Sequence, residues 1–370
     1  MKMLIAGAGP AGLYLAYLVK RQLPGWEIRI VEQNPRDSTF GFGVVFSDRA
    51  LEFLRADDPQ TYDRITPAME AWTDITVVHR GTPVVIDGIG FSAIGRLKFL
   101  QLLCGRLESA GVLPEYGFVL GEGANLQEFD LVVAADGANS TVRKSADFGT
   151  TIRTLGNKFA WFGTTRVYDT LTQTFVQNEA GTFNAHHYRH SPSMSTFVFE
   201  CDAATWARAG FERMDEAATL AYCEGVFADT LQGHRLVSNK SIWRNFPNLR
   251  NARWSVGSTV LLGDAQRTAH FSIGSGTRLA MEDAIALAKA LAEFRNDIPG
   301  ALAAFEAARR PVVEKLVAAA DASAEWYEHF PEHMRLAPRE FAWSYIQRSG
   351  RIDPEKLRKI APKFVDGSDT

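Results

Sequence analysis

The sequence predicts an α/β protein in which a doubly wound parallel sheet is interleaved with an antiparallel sheet and followed by a helical C-terminal segment. Three observations lead to this reading. The chain opens on an apolar run, a glycine-rich turn and a helix-periodic stretch; two more apolar runs ending in polar turns recur far downstream; and residues 157–201 alternate polar with aromatic or β-branched side chains. No repeat or low-complexity linker separates the two kinds of segment, so they are expected to interleave. At 370 residues, the length suits about two domains of roughly 150 residues each with an appendage.

Taken in order, Met3 to Ala6 form a strand, Gly7-Ala8-Gly9-Pro10-Ala11-Gly12 a tight turn, and Leu13, Leu15, Ala16, Leu18 and Val19 the apolar face of a helix. Pro24-Gly25 ends the unit, and Trp26 to Glu32 alternates as a second strand, which makes the opening a βαβ unit with parallel pairing. Strands at 131–135 and 258–262 end in Asp136-Gly137 and Gly263-Asp264. The 157–201 region reads as antiparallel with one wet face. After Gly276 the pattern is helical and alanine-rich to about residue 328.

Composition narrows the function classes. With 46% apolar and 22% charged residues, disordered and fibrous classes are excluded. Forty basic against 43 acidic residues give a net charge of −3, so no nucleic-acid partner is expected. Cys104, Cys201 and Cys223 are too scattered for a disulfide framework or metal site, which fits a reducing, cytoplasmic setting. The apolar start has the length of a secretory core, but glycines and Pro10 interrupt it, so it reads as folded structure. No window approaches 18 uninterrupted apolar residues, and no membrane span is expected.

The Gly-x-Gly-x-x-Gly turn follows a strand, opens a helix and is answered by an acid at the second strand's end, the context a dinucleotide fingerprint requires. Gly7 allows the tight turn, Gly9 lets the backbone approach a pyrophosphate, and Gly12 lets the helix pack closely, with Ala11 beside them. Glu32 would accept from ribose hydroxyls. This turn alone fits a nicotinamide or a flavin dinucleotide, and the later loops favour flavin. Asp264 suits ribitol hydroxyls, while Gly274-Ser275-Gly276-Thr277 starts a long helix whose N-terminus can face the pyrimidine edge of an isoalloxazine. Asp136 to Arg143 offers a further turn with a hydroxyl and a guanidinium, suited to a phosphate-rich ligand.

The ordered set of residues 7–12, 136–143, 263–265 and 274–284 resembles the single-component FAD-dependent aromatic monooxygenases of the 4-hydroxybenzoate hydroxylase fold, over nearly the whole chain. Gly41-Phe42-Gly43-Val44-Val45-Phe46-Ser47-Asp48, Gly163-Thr164-Thr165, Met194 to Phe197 and His270 to Thr277 are similar to the branch with salicylyl-CoA 5-hydroxylase and the monooxygenase half of 2-aminobenzoyl-CoA monooxygenase/reductase. His270-Phe271 stands where the wider family carries a proline pair. The resemblance implies a Rossmann-like FAD-binding domain (1–70, 95–156 and 256–330), an antiparallel-sheet substrate domain (71–94 and 157–255) and a helical extension (331–370). It implies FAD contacts at Gly7, Gly9, Gly12, Glu32, Asp136, Asp264 and, at a helix start, Arg96. NADH or NADPH would be a transient reductant, dioxygen a co-substrate, and the hydroxylated ring would react with a flavin hydroperoxide.

Such chemistry needs a dry, aromatic-walled pocket and a means of raising the ring's electron density. Candidate substrate walls are Phe42, Val44, Phe46, Trp161 and Phe271, with Arg244 aimed at a substrate carboxylate or at the flavin. His270 beside the flavin, and His186 with Tyr188 on one strand face, are the candidate catalytic groups. Glu282 and Asp283 are adjacent on a helix, so they cannot form a dyad, and Glu282 is expected to pair with Arg278. No metal ligands and no hydrolase elbow are seen. The expected protein is a monomer or homodimer acting on a small aromatic molecule, an aryl-CoA thioester first and a tryptophan-derived indole second. A nicotinamide dehydrogenase and a flavin-binding scaffold are the readings from other classes.

Overall fold

The computed structural model describes residues 1–47, 51–121 and 123–367; Asp48, the last residue of the Gly41 segment, lies outside them. A six-stranded sheet runs in the order Ser255–Val256, Thr259–Leu261, Leu131–Ala134, Lys2–Ala6, Glu27–Glu32 and Glu115–Tyr116. All its pairings are parallel except the first, and Lys2–Ala6 lies centrally with the chain's later strands on one side and Glu27–Glu32 on the other. In such a sheet the crevice forms beyond the carboxyl ends, where the strand order reverses. Ala6 and Leu261 both register with Ala134, so the turns at 7–12, 135–137 and 263–264 leave the sheet side by side.

The long helix Gly276–Phe294 buries its Leu279, Met281, Ala284, Leu287, Ala288 and Leu291 stripe in the same core as the helix Pro10–Gln22. Helix Ile298–Glu328 follows, started by Asp297, whose carboxylate accepts from the Gly300 N–H.

The second sheet contains Leu236–Val237, Thr150–Thr164, Met194–Cys201, Gly181–Ser191, Leu171–Asn178, Ile75–His79 and Thr82–Ile86, with Arg244–Asn251 paired to the first half of Thr150–Thr164. Its pairings are antiparallel, as expected, except that Leu171–Asn178 and Ile75–His79 run parallel. The expected wet face is not found. Strands Leu171–Asn178, Gly181–Ser191 and Met194–Cys201 are buried on both sides. Helices Ala203–Ala209, Glu216–Val226 and Ala228–Leu231 cover Phe183, Phe197 and Phe199 on one face, while the other face looks into the interior of the protein. Polar residues on that inner face must therefore find partners inside the protein.

A third, small sheet joins Gly43–Ser47, Phe91–Gly95 and Glu70–Trp72. The C-terminal helices Pro338–Gln347, Pro354–Ile360 and Pro362–Asp366 are more than an appendage. Phe341, Ala342, Tyr345, Leu357 and Phe364 share a core with Ile75, Val77, Phe175 and Tyr327.

Candidate active site

Glycine geometry shapes the first turn. Gly7 has φ +100°, and a Cβ there would lie 2.3 Å from the Ala135 carbonyl oxygen. At Gly12 a Cβ would lie 2.0 Å from the Gly7 oxygen. Gly9, extended at φ −74° and ψ −178°, has open space where its Cβ would stand, so its backbone borders an approachable surface. Glu32 accepts from the Ala8 N–H at 2.9 Å and the Asn34 N–H at 2.9 Å. Together with Gly9, Phe40 and Arg96 it lines a recess of about 170 Å³.

Arg96, at the start of helix Arg96–Ser109, also lines a second cavity of about 320 Å³, so one side chain borders both spaces. Gly9, Ala11, Gly137, Asp264, Gly274, Gly276 and Thr277 line this second cavity, which brings the separate loops to one cleft. Burial lowers the Arg96 guanidinium and Asp264 opposes that shift; the guanidinium Nε is buried without a protein partner. The Asp264 side chain is open to the cavity but hemmed in by protein, so desolvation raises its carboxyl while Arg96 and Arg267 pull it down. The N-terminus of helix Gly276–Phe294 opens onto the same space.

The turn at 136–143 differs from expectation. Asp136 does not line the cavity; one carboxylate oxygen accepts from the Thr141 and Val142 N–H groups at 2.8 and 3.3 Å, while Oδ1 is buried and unpartnered. Arg143 is not offered to a ligand. Buried, it needs acceptors, and it donates to the Ala265 and Ala138 carbonyls at 2.9 and 2.6 Å, which ties this loop to the 263–265 turn.

Opposite the loops stands one face of the second sheet. Gln173, His186 and Val198 are in register across three strands, and Trp161 pairs with Val198 on a fourth, so these four side chains form a row on one face. Phe159, Tyr188, Phe246, Phe271, Tyr345 and Arg348 complete the wall. Phe271 is in ring contact with Phe159 at 5.0 Å, Trp161 at 6.0 Å and His186 at 5.4 Å. Val44, Trp161, Phe271, His186 and Tyr188 thus reach the cavity.

Four candidates do not. Phe46 is fully buried against Phe99, on the opposite side of its strand from Val45, which lines the cavity. Phe42 packs over Gly163, where a Cβ would stand 2.5 Å from its ring. Arg244, at the start of its strand, is exposed, and Phe246 two residues on takes the cavity position. His270 is 4% exposed and held by the Ser272 hydroxyl at 2.9 Å from its Nδ1. Its ring stacks on Phe271 at 4.3 Å, outside the cavity lining, and burial lowers its pKa to about 4.

His186 lines the cavity, but both ring nitrogens are engaged. Nδ1 faces the Gln173 amide at 3.1 Å and Nε2 faces Glu200 at 3.3 Å, so neither is left for a substrate hydroxyl. Burial, with Arg348 adding, lowers its pKa to about 3. The Tyr188 hydroxyl donates to the Gly43 carbonyl at 3.1 Å, and burial pushes its pKa up. His187 takes the opposite face, as alternation requires, with Thr174 at 2.9 Å from its Nε2. Glu282 accepts from Arg278 at 2.7 Å, as expected, and Asp283 is held by Arg267 and Arg309.

The match that decides the family spans more than half of the chain: a family model described as FAD binding domain covers residues 114–320. Salicyloyl-CoA 5-hydroxylase from a Streptomyces species is 43% identical over 381 residues, covering 100% of this chain and 73% of that protein. The chain belongs to the FAD-dependent aromatic monooxygenases. Protodeoxyviolaceinate monooxygenase of Chromobacterium violaceum is 36% identical to this monooxygenase and covers 96% of each chain. A crystal structure of a 2-methyl-3-hydroxypyridine-5-carboxylic acid oxygenase variant superposes with TM-score 0.70 at 17% identity, over 97% of this chain and 96% of that one, and shares the fold.

The monooxygenase's own residues fit FAD. The recess at Glu32 and the cavity at Asp264 are joined at Gly9 and Arg96, as an extended dinucleotide requires, and Arg96 Nε lacks any protein acceptor. The enzyme is an oxidoreductase, with NAD(P)H and dioxygen the usual co-reactants of its class. Among the described residues no helix is long and apolar enough to cross a membrane, and no His, Cys, Asp and Glu side chains are grouped to hold a metal.

Several site residues of this monooxygenase escaped sequence reading. Gln173 and Glu200 share strand parity with His186 and Val198, a signal visible only once the register is known. Tyr345 and Arg348 come from the C-terminal segment and carry no local motif.

Proposed function

We propose that this monooxygenase hydroxylates an electron-rich aromatic ring presented as an aryl-CoA thioester such as salicylyl-CoA, at the ring's 5-position. The observation that supports it is the joint cavity: flavin-binding loops form one wall and a row of aromatic side chains the other, within about 320 Å³. Bound FAD, reduced by NAD(P)H, supplies the oxygen activation. Phe159, Trp161 and Phe271 exclude water from the reacting ring and fix its plane against the cofactor side. Neutral His186 lends its ring to that wall, and Tyr188 closes the side next to Gly43. Glu32, Arg96 and Asp264 would hold the two ends of the cofactor, and the N-terminus of Gly276–Phe294 would favour negative charge on the reduced ring. Three buried free cysteines suit the cytoplasmic location that this reading carries.

The test is a product-identified screen of FAD-loaded protein with NADH and NADPH, across aryl-CoA thioesters, free aromatic acids and tryptophan-derived indoles. Stoichiometric conversion of 2-hydroxybenzoyl-CoA to its 5-hydroxy product is expected. Turnover of the indoles alone would replace this reading with the second one, which the likeness to protodeoxyviolaceinate monooxygenase supports.

A further inference from the structure

Arg348 follows the helix Pro338–Gln347 and reaches the cavity from a segment that supplies nothing to the cofactor loops. Its guanidinium lies 3.8 Å over the Tyr345 ring. One Nη donates to the Tyr345 carbonyl at 2.8 Å and the other to the Ser272 carbonyl at 2.9 Å. An arginine has five N–H groups, so two are spent on backbone and three, including the buried Nε, have no acceptor among the described residues.

Charge balance is the decisive point. Among the described residues no carboxylate lies within ion-pair distance of Arg348. The titratable groups that face it are His186 from Gly181–Ser191, His270 beside Phe271, Tyr327 from Ile298–Glu328 and Tyr345 from its own helix. The two histidines are neutral, and Tyr327, pushed well up by burial, donates its hydroxyl to Gln173. Glu200 is the acid in this region, and its oxygens are taken by Asn157 at 2.9 Å and His186 at 3.3 Å. A half-buried cation that borders this cavity without a counter-ion favours a ligand that brings the opposite charge.

We propose that Arg348 is the group that binds the ionised hydroxyl oxygen of the aromatic substrate. Ionisation raises the ring's electron density, the property a hydroxylase needs, and the proton lost on binding passes to solvent. The cation thereby does what His186 cannot, since both its nitrogens are engaged. The inference rests on the hydroxylase reading above and names the group that the cavity selects. It also separates phenols from indoles, which carry no such acid.

The experiment uses oxidised, FAD-loaded enzyme without reductant, so that nothing turns over. Binding of 2-hydroxybenzoyl-CoA and of benzoyl-CoA, which lacks the hydroxyl, is measured by difference absorption, with the phenolate band read across pH. Wild type should show the phenolate band and bind the hydroxylated ligand about 10- to 100-fold more tightly, the worth of one charge-assisted hydrogen bond. Arg348→Met should lose both the band and the preference while retaining FAD, and Arg348→Lys should retain the band. An unchanged band and preference in Arg348→Met would overturn the proposal, as would equal weakening of both ligands, which would assign the guanidinium to the thioester carbonyl. If wild type binds neither aryl-CoA, the aryl-CoA reading fails instead; the same assay with free hydroxyaryl and deoxyaryl acids then decides the role of Arg348.

Discussion

Gly7 and Gly9 stand two residues apart in one turn, yet the structure separates their roles enough to test them against each other. Alanine at Gly7 must adopt φ +100° and place its Cβ 2.3 Å from the Ala135 oxygen, a backbone atom that cannot swing aside. The left-handed strain alone costs about 1–2 kcal/mol, and moving the two loops apart adds more, so Gly7→Ala should destabilise the apoprotein by at least about 3 kcal/mol. Alanine at Gly9 keeps an allowed extended conformation and meets no atom within 4 Å. Its effect on apoprotein stability should stay within about 0.5 kcal/mol, or favour folding slightly through lost chain entropy. The new methyl group would instead occupy the surface where the pyrophosphate approaches, and loss of one charge-assisted N–H contact, about 1.5–3 kcal/mol, predicts a 10- to 100-fold weaker FAD. Denaturant unfolding of the apoproteins and titration with FAD by flavin fluorescence read the two quantities independently. If Gly9→Ala takes up FAD as tightly as wild type, or if Gly7→Ala is as stable as Gly9→Ala, the assignment of the turn is wrong.

Other outcomes follow from the same geometry. Phe271→Ala opens the wall shared with Phe159, Trp161 and His186 and should divert NAD(P)H-derived electrons to hydrogen peroxide, measured as peroxide formed per NAD(P)H consumed; unchanged coupling removes Phe271 from the wall. Asp264→Ala should lower the FAD retained on gel filtration, and a fully loaded variant contradicts its role. Burial lowers His187 to about 3, so below the ordinary value near 6.5 the unfolded chain takes up a proton that the folded one refuses, and stability is lost as pH falls from 6.5 towards 3. Between pH 6.5 and 5 this amounts to about 2 kcal/mol, which His187→Gln should remove from the pH dependence of denaturant unfolding; an unchanged slope refutes it. Glu200, raised by burial, has the opposite sign, which is why the variant and not the wild-type slope isolates the histidine. Phe183→Ala, in the fully buried aromatic cluster, should cost about 3–5 kcal/mol in the same assay.

Which parts of the site could be read from sequence depends on how local their cause is. Gly7, Gly9, Gly12 and Glu32 were legible because a turn, a helix start and a strand end are set by residues within one βαβ unit. Arg96 was placed by resemblance, and in the structure it lines both the recess and the cavity. His186 and Tyr188 were legible as a shared face because strand parity is local, but the engagement of both His186 nitrogens depends on Gln173 and Glu200 from neighbouring strands. Arg244 shares strand parity with Phe246 but sits at the exposed start of the strand, beyond the cavity, whereas Phe42, Phe46 and His270 were misplaced for one reason. Proximity in sequence to a cavity residue does not say which side of the backbone a side chain leaves.

By itself, then, the amino-acid order determined the periodicities, the glycine turn and the kinship with flavin monooxygenases, since each is written in short stretches of chain. Only the tertiary structure decided that Asp136 and Arg143 brace loops, that the second sheet is covered on both faces, and that the C-terminal Tyr345 and Arg348 complete the cavity. The physical reason is that burial and charge compensation are properties of a neighbourhood. Segments far apart in the chain assemble that neighbourhood, and no single one of them encodes what the others will place opposite it.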